Sequence, residues 1–161
     1  MFKKTHVTKL TPCLVFLLGL GGLTACRTAQ PLRPLNLAEA GWSTRQGQAV
    51  WRSKKEAPEI SGELILASHT DGRNFVQFTK TPLPFVVAQS TTNTWQVQFV
   101  PNNKIYSGHG QPPARLVWLQ LPRCLSGMAP PKPWSWQRLE SHGWRLENRL
   151  SGELLEGYFT E

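Results

Sequence analysis

Side chains able to do covalent or proton-transfer chemistry are few in this 161-residue chain, and they are scattered. His69 and Asp71 stand two apart in His69-Thr70-Asp71-Gly72, a spacing open to a proton-relay dyad. The same four residues read more simply as a turn, in which the Asp side chain bonds the local backbone. Gly108-His109-Gly110 presents an imidazole on a supple segment. Without a second histidine or a carboxylate at ligand spacing, it predicts no metal. Glu147 and Glu156 have apolar neighbours but no partner that spacing can name. The chain holds no G-x-S-x-G elbow, P-loop, H-E-x-x-H or C-x-x-C motif. The expectation is a protein with no catalytic residue, no metal and no cofactor, whose work is done by binding.

The cysteines carry a stronger signal. Leu23-Thr24-Ala25-Cys26 follows a head with Lys3, Lys4 and Lys9 and the short apolar run 13–20. A basic head, an apolar core and small residues before a cleavage point predict a secretory signal peptide, and the run is short for a permanent membrane span. The four residues resemble a bacterial lipobox, which implies that the Cys26 thiol is diacylated and becomes the first residue of the mature chain. Residues 1–25 are then a lipoprotein signal peptide. Residues 26–40, with Pro31 and Pro34 and no sustained periodicity, are a lipidated tether, and residues 41–161 form the domain. Arg27 is not the Asp that marks inner-membrane retention in enterobacteria. By that analogy the anchor is in the outer membrane, facing the periplasm. Cys124 is the cysteine left in the domain, so no internal disulfide is expected, and its apolar approach predicts a buried thiol.

Charge narrows the partners. The formal charge is +8, and loss of residues 1–25 removes three lysines and no acids, leaving +5. That suits mild attraction to anionic lipid headgroups. No Lys/Arg-rich run alternates with aromatics, so no nucleic acid is expected.

The elements that must position these residues are mostly strands. Trp95, Val97 and Phe99 alternate with Thr94, Gln96 and Gln98, a period of two with one apolar face. Segments 63–68 and 73–80 flank the turn at 69–72 and predict a hairpin. Further strands are expected near 45–52, 84–90, 104–107, 134–140, 143–148 and 152–159. Short, turn-separated strands describe an antiparallel sheet curling into a barrel or a sandwich. One segment differs. From Pro113 to Leu121 the apolar residues Ala114, Val117, Trp118 and Leu121 have helical spacing, with Pro112 and Pro113 suited to the start and Pro122 or Ser126-Gly127 to the end. A helix this apolar must be buried against the sheet or cover its mouth. The tetrapeptide Ser61-Gly62-Glu63-Leu64 recurs as Ser151-Gly152-Glu153-Leu154, two similar turn-to-strand passages with unrelated surroundings.

Seven Trp and seven Phe supply much apolar surface to the inner side of such a sheet. Trp95, Val97, Phe99, Trp134, Trp136, Trp144 and Leu146 fit either a filled core or the wall of an acyl-chain pocket. Leu83 is held between Pro82 and Pro84 in the connection from 73–80 to 84–90. It either packs over the sheet edge or stands out stiffly beside Lys80, a form suited to insertion among headgroups and acyl chains.

The Thr81-Pro82-Leu83 tip, followed by a helix bearing Leu116, Val117, Trp118, Leu121 and Pro122, resembles the LolB family of outer-membrane lipoproteins. The segment Trp134 to Asn148 is similar to that family's late hairpin in pattern only. The resemblance implies a mainly β fold: a curved antiparallel sheet forming an unclosed half-barrel with one covering helix, shared with the LolA carriers. It implies a cavity that takes the acyl chains of another lipoprotein and a projecting leucine that helps insert that cargo into the outer membrane. Carried onto this chain, Pro82, Leu83 and Pro84 are the membrane-handover loop. Leu64, Leu66, Val76, Phe78, Trp95, Val97, Phe99, Leu116, Trp118, Trp134, Trp136, Trp144 and Leu146 are the cavity wall. Acylated lipoprotein cargo and a LolA-like periplasmic carrier would be the partners of a monomer. The domain is short for the family, and a proline follows Leu83 where the resemblance implies a glycine. The contrasting expectation is a structural or assembly lipoprotein with a filled core, whose sheet edge pairs with a periplasmic protein.

Overall fold

The computed structural model describes residues 32–140 and 142–160. The leader, Cys26 and the first part of the tether lie outside the described residues. The segment Pro31–Glu161 is a compact unit with its own core.

Nine strands follow one another in the chain: β1 (Trp42–Arg52), β2 (Ile60–His69), β3 (Asn74–Lys80), β4 (Leu83–Ser90), β5 (Thr94–Phe99), β6 (Lys104–His109), β7 (Trp134–Arg138), β8 (Gly143–Asn148) and β9 (Leu154–Phe159). A 3-10 turn at Val100–Asn102 precedes β6, and helix α1 (Val117–Leu125) separates β6 from β7. All pairings are antiparallel, in the order β6-β5-β4-β3-β2-β1-β9-β8-β7. The two ends of this order, β6 and β7, do not meet, so the sheet is a curved, unclosed half-barrel with one helix against it. The expected hairpin is present with Leu64 opposite Phe78 and Leu66 opposite Val76.

Register decides which residues face inward. Trp51 lies opposite Ile60 and Leu155, and Leu155 opposite Leu146, so one row of large side chains crosses the concave face from β2 to β8. Small residues sit beside it. Ala49 faces Gly62 on one side and Gly157 on the other. A Cβ on Gly62 would come within 3.0 Å of the Phe78 ring, and one on Gly157 within 3.0 Å of the Trp144 ring. These gaps let the Phe78 ring lean over β2 and the Trp144 ring over β9.

The helix starts later than its apolar spacing predicts. Pro113 to Leu116 is not helical, because its carbonyls are used elsewhere. The Ala114 carbonyl accepts the Trp134 indole N–H at 2.6 Å, and the Pro113 carbonyl accepts Gln120 Nε2 at 3.2 Å. Pro122 lies inside α1, and Ser126-Gly127 is the end. The proline removes one intrahelical donor from a nine-residue helix whose inner side is buried, and packing outweighs that loss. Gly127, at φ +92°, supplies the left-handed turn that closes the helix.

Helix α1 packs on β3, β4 and β5. Trp118 is its centre, with ring centroids 5.2 Å from Phe78 and 5.7 Å from Trp51. On the other face of the sheet, residues 32–40 are docked: the Leu32 N–H bonds the Gln96 side chain, and the Glu39 carboxylate takes a two-pronged contact from Arg73 at 3.1 Å.

Candidate functional site

Helix α1 lies mainly over β3, β4 and β5, and the concave face keeps an opening where the ends of β7 and β9 meet the starts of β8 and β1. The opening is a groove of about 790 Å³ between the helix C-terminus and these strands. It is built by register. Trp136 opposes Leu146, Arg138 opposes Trp144, Trp144 opposes Gly157, and Phe159 opposes Gly47. Trp136 and Trp144 stack with centroids 6.3 Å apart at 17°, and Trp144 continues to Phe159 at 5.9 Å. The Arg45 guanidinium lies 5.9 Å above the Phe159 ring. Leu125, Leu139 and Arg138 complete the wall.

Trp136 and Arg138 also border a second groove of about 1,010 Å³, which runs along β7 beneath the loop 127–133. Cys124, Met128, Pro130, Trp134, Arg149 and Leu150 line it. Both volumes are near the range of small-molecule sites, roughly 300–1,000 Å³; the second groove is mainly apolar, whereas Thr44, Arg45, Gln46, Arg138 and Thr160 make the first mixed in polarity. The indole N–H of Trp144 is buried and makes no hydrogen bond among the described residues. An aromatic floor with two flanking guanidiniums can hold a molecule that carries apolar surface and an oxygen-bearing or anionic point.

The thirteen residues expected to line a cavity are divided by this geometry. Leu64, Leu66, Val76, Phe78, Trp95, Val97, Leu116 and Trp118 are at most 8 % exposed and pack against one another and α1 as a closed core. Leu146 is fully buried beneath the groove floor, and Phe99, half-buried, packs on that core beside Trp51 and Tyr106. Trp134, Trp136 and Trp144 do line the grooves. Phe159, Leu125, Arg45 and Arg138 were not foreseen. Phe159 was findable, since Leu155, Gly157 and Phe159 alternate on a recognised strand, whereas nothing near Arg45 or Arg138 marks them.

The expected handover loop is shorter than three residues. Only Thr81 and Pro82 form the turn; Leu83 and Pro84 belong to β4, opposite Lys80 and Thr79. The register shifts between Phe78 and Thr79, and β5 pairs with β4 only from Val86 onward. Pro84 therefore sits where its missing N–H breaks no ladder to β5. Leu83 is 67 % exposed at this tip.

The titratable groups behave as structure. At the β2–β3 turn, His69 Nδ1 lies 2.8 Å from Asp71 and Arg73 Nε 2.8 Å from the same carboxylate, while Arg73 reaches Glu39 and lies over Trp42. The Arg73 hydrogen bond holds the Glu39 carboxyl below its usual range. For Asp71, desolvation pushes upward but hydrogen bonds from Arg73 and His69 outweigh it. The cluster clamps residues 39–42 to the turn. Glu147 and Glu156, without partners in the sequence reading, share Arg145 at 3.1 Å each. Cys124 is fully buried, and burial pushes its thiol up to about 11. Among the described residues no three His, Cys, Asp or Glu side chains gather at metal-binding spacing, and no helix is long and apolar enough to cross a membrane.

Compared with models of known protein families and with curated proteins, the chain matches none.

Proposed function

We propose that this chain is a LolB-like outer-membrane lipoprotein, anchored through Cys26, that holds the acyl chains of lipoprotein cargo and helps insert them into the bilayer. The observation that carries this reading is Leu83: a large apolar side chain, 67 % exposed, on a short proline-stiffened hairpin of an unclosed half-barrel. A leucine placed there contributes nothing to the core and is available to a membrane. The second groove, along Trp134 and Trp136, supplies the apolar surface for an acyl chain, and the work is differential binding, with no covalent step. A LolA-like carrier is the proposed donor of cargo.

Titrating a fluorescent acylated lipopeptide into Pro31–Glu161, which contains all nine strands, the helix and the core, tests the reading. Saturable binding that a non-acylated peptide does not compete for, and that Trp136→Ala weakens about tenfold, is the expected result. No binding by a domain that melts cooperatively would overturn it. A second reading then takes its place, favoured by the closed packing of β2–β5 on α1: a structural lipoprotein whose free β7 edge pairs with a periplasmic partner.

A further inference from the structure

The strands alternate in direction, so the connections after β1, β3, β5 and β8 and the approach to β7 all gather at one end of the half-barrel. At that end two leucines face solvent: Leu83, 67 % exposed, and Leu150, 85 % exposed. Leu150 has no packing reason to be there. It lies in the β8–β9 turn, whose backbone is set by the Asn148 side chain, which accepts the N–H groups of Leu150 and Ser151 at 3.0 and 3.1 Å. The β1–β2 loop is tied to the same turn, since the Lys55 N–H bonds the Ser151 carbonyl at 3.1 Å.

Charge is gathered at the same end. Lys54, Lys55, Lys80, Lys104, Lys132 and Arg149 are exposed there, and none of them forms an ion pair among the described residues. The acids of these loops offset little of this. Glu59 is engaged by Arg52 at 3.1 Å, Glu153 is turned inward onto the Trp51 indole, and Glu56 alone is exposed and unpaired. The opposite end is weaker in both respects: it carries the exposed Arg45 and Arg138 and one leucine, Leu139, 46 % exposed, while Glu39 and Asp71 together outnumber the Arg73 that pairs with them. The turns bearing Leu83 and Leu150 are four strand spacings apart, roughly 20 Å along the sheet and less across its curve, with the Lys54-Lys55 loop between them.

We infer that this end of the half-barrel is a docking face for an anionic lipid surface, with Leu83 and Leu150 entering the headgroup layer and the surrounding lysines and Arg149 pairing with phosphates. Two separated apolar points among cations fix a tilt as well as a position, which a single leucine cannot do. The face also sets the second groove, which Leu150 and Arg149 border, against the bilayer. The inference extends the role proposed for Leu83 but does not depend on acyl binding in the grooves.

Co-sedimentation of Pro31–Glu161 with vesicles of phosphatidylglycerol and phosphatidylethanolamine, against vesicles of phosphatidylcholine alone, provides the test. Binding is expected to the anionic vesicles only and to weaken with added salt. Leu150→Glu and Leu83→Glu should each reduce the partition coefficient at least fivefold. Lys54→Gln with Lys55→Gln should reduce it roughly 25-fold, about fivefold per charge removed. Tyr158→Glu, an equivalent change at a side chain 49 % exposed on the other face of the sheet, should leave it unchanged. Equal binding to both vesicle types, or wild-type binding by Leu150→Glu and by the lysine pair, would overturn the inference. Vesicle binding that survives while the acylated peptide fails to bind would remove the proposed function and leave the docking face standing.

Discussion

Glu153 makes the stability of this domain depend on pH in a direction opposite to most carboxylates. Its Oε1 accepts the Trp51 indole N–H at 3.1 Å, and Trp51 in turn packs between Phe85, Phe99 and Trp118. Desolvation in this setting pushes the carboxyl from its ordinary 4.5 up to about 7, and the indole hydrogen bond only partly opposes that. Between those two values the folded protein holds a proton that the unfolded chain releases. Stability from this group is thus complete below about pH 4.5 and is lost as pH rises through about 7. At about 1.4 kcal/mol for each pH unit the loss is about 3 kcal/mol, near 10 °C in melting temperature for a domain of this size. Glu153→Gln keeps the shape and an oxygen acceptor for Trp51 but cannot ionise. Its thermal melts should match wild type near pH 4 and rise above it by about 3 kcal/mol near pH 9. Melting curves that keep a constant separation across that range would refute the buried-carboxyl account.

Trp118→Ala should cost about 3–5 kcal/mol in urea unfolding, because it opens a large cavity between α1, Phe78 and Trp51. Trp134→Phe strips the Ala114 carbonyl of its donor and leaves a small cavity where the rest of the indole was, so about 1–3 kcal/mol of destabilisation is expected by the same method. Cys124 should resist iodoacetamide near pH 8 in the native state and react at once in denaturant, as judged by mass spectrometry; rapid native labelling would contradict its burial and raised thiol pKa.

Period-two alternation marked the clearest strands and clusters of turn residues bounded the others, since a half-buried strand must place its apolar side chains on one face. Trp95-Val97-Phe99 is the clearest case, and the turn at His69–Gly72 gave the first hairpin. The helical spacing around Trp118 revealed α1 but misplaced its start, because the carbonyls that hold Pro113 and Ala114 out of the helix bond to Gln120 and to Trp134, the latter twenty residues away. What no local pattern held is the side of closure. Trp95 and Trp136 are equally aromatic and equally periodic, yet one is sealed in the core and the other borders open grooves, since α1 packs over β3–β5 and only its C-terminal residues Cys124 and Leu125 line the grooves with Trp136. The repeated tetrapeptide makes the same point. In Ser61-Gly62-Glu63-Leu64 the glutamate points to solvent from the middle of β2, whereas in Ser151-Gly152-Glu153-Leu154 it precedes β9 and is drawn onto Trp51, 102 residues earlier. Alternation and turn chemistry act between near neighbours and are legible in the chain; burial and proton affinity depend on which distant side chains arrive, and only the packed sheet and helix determine that.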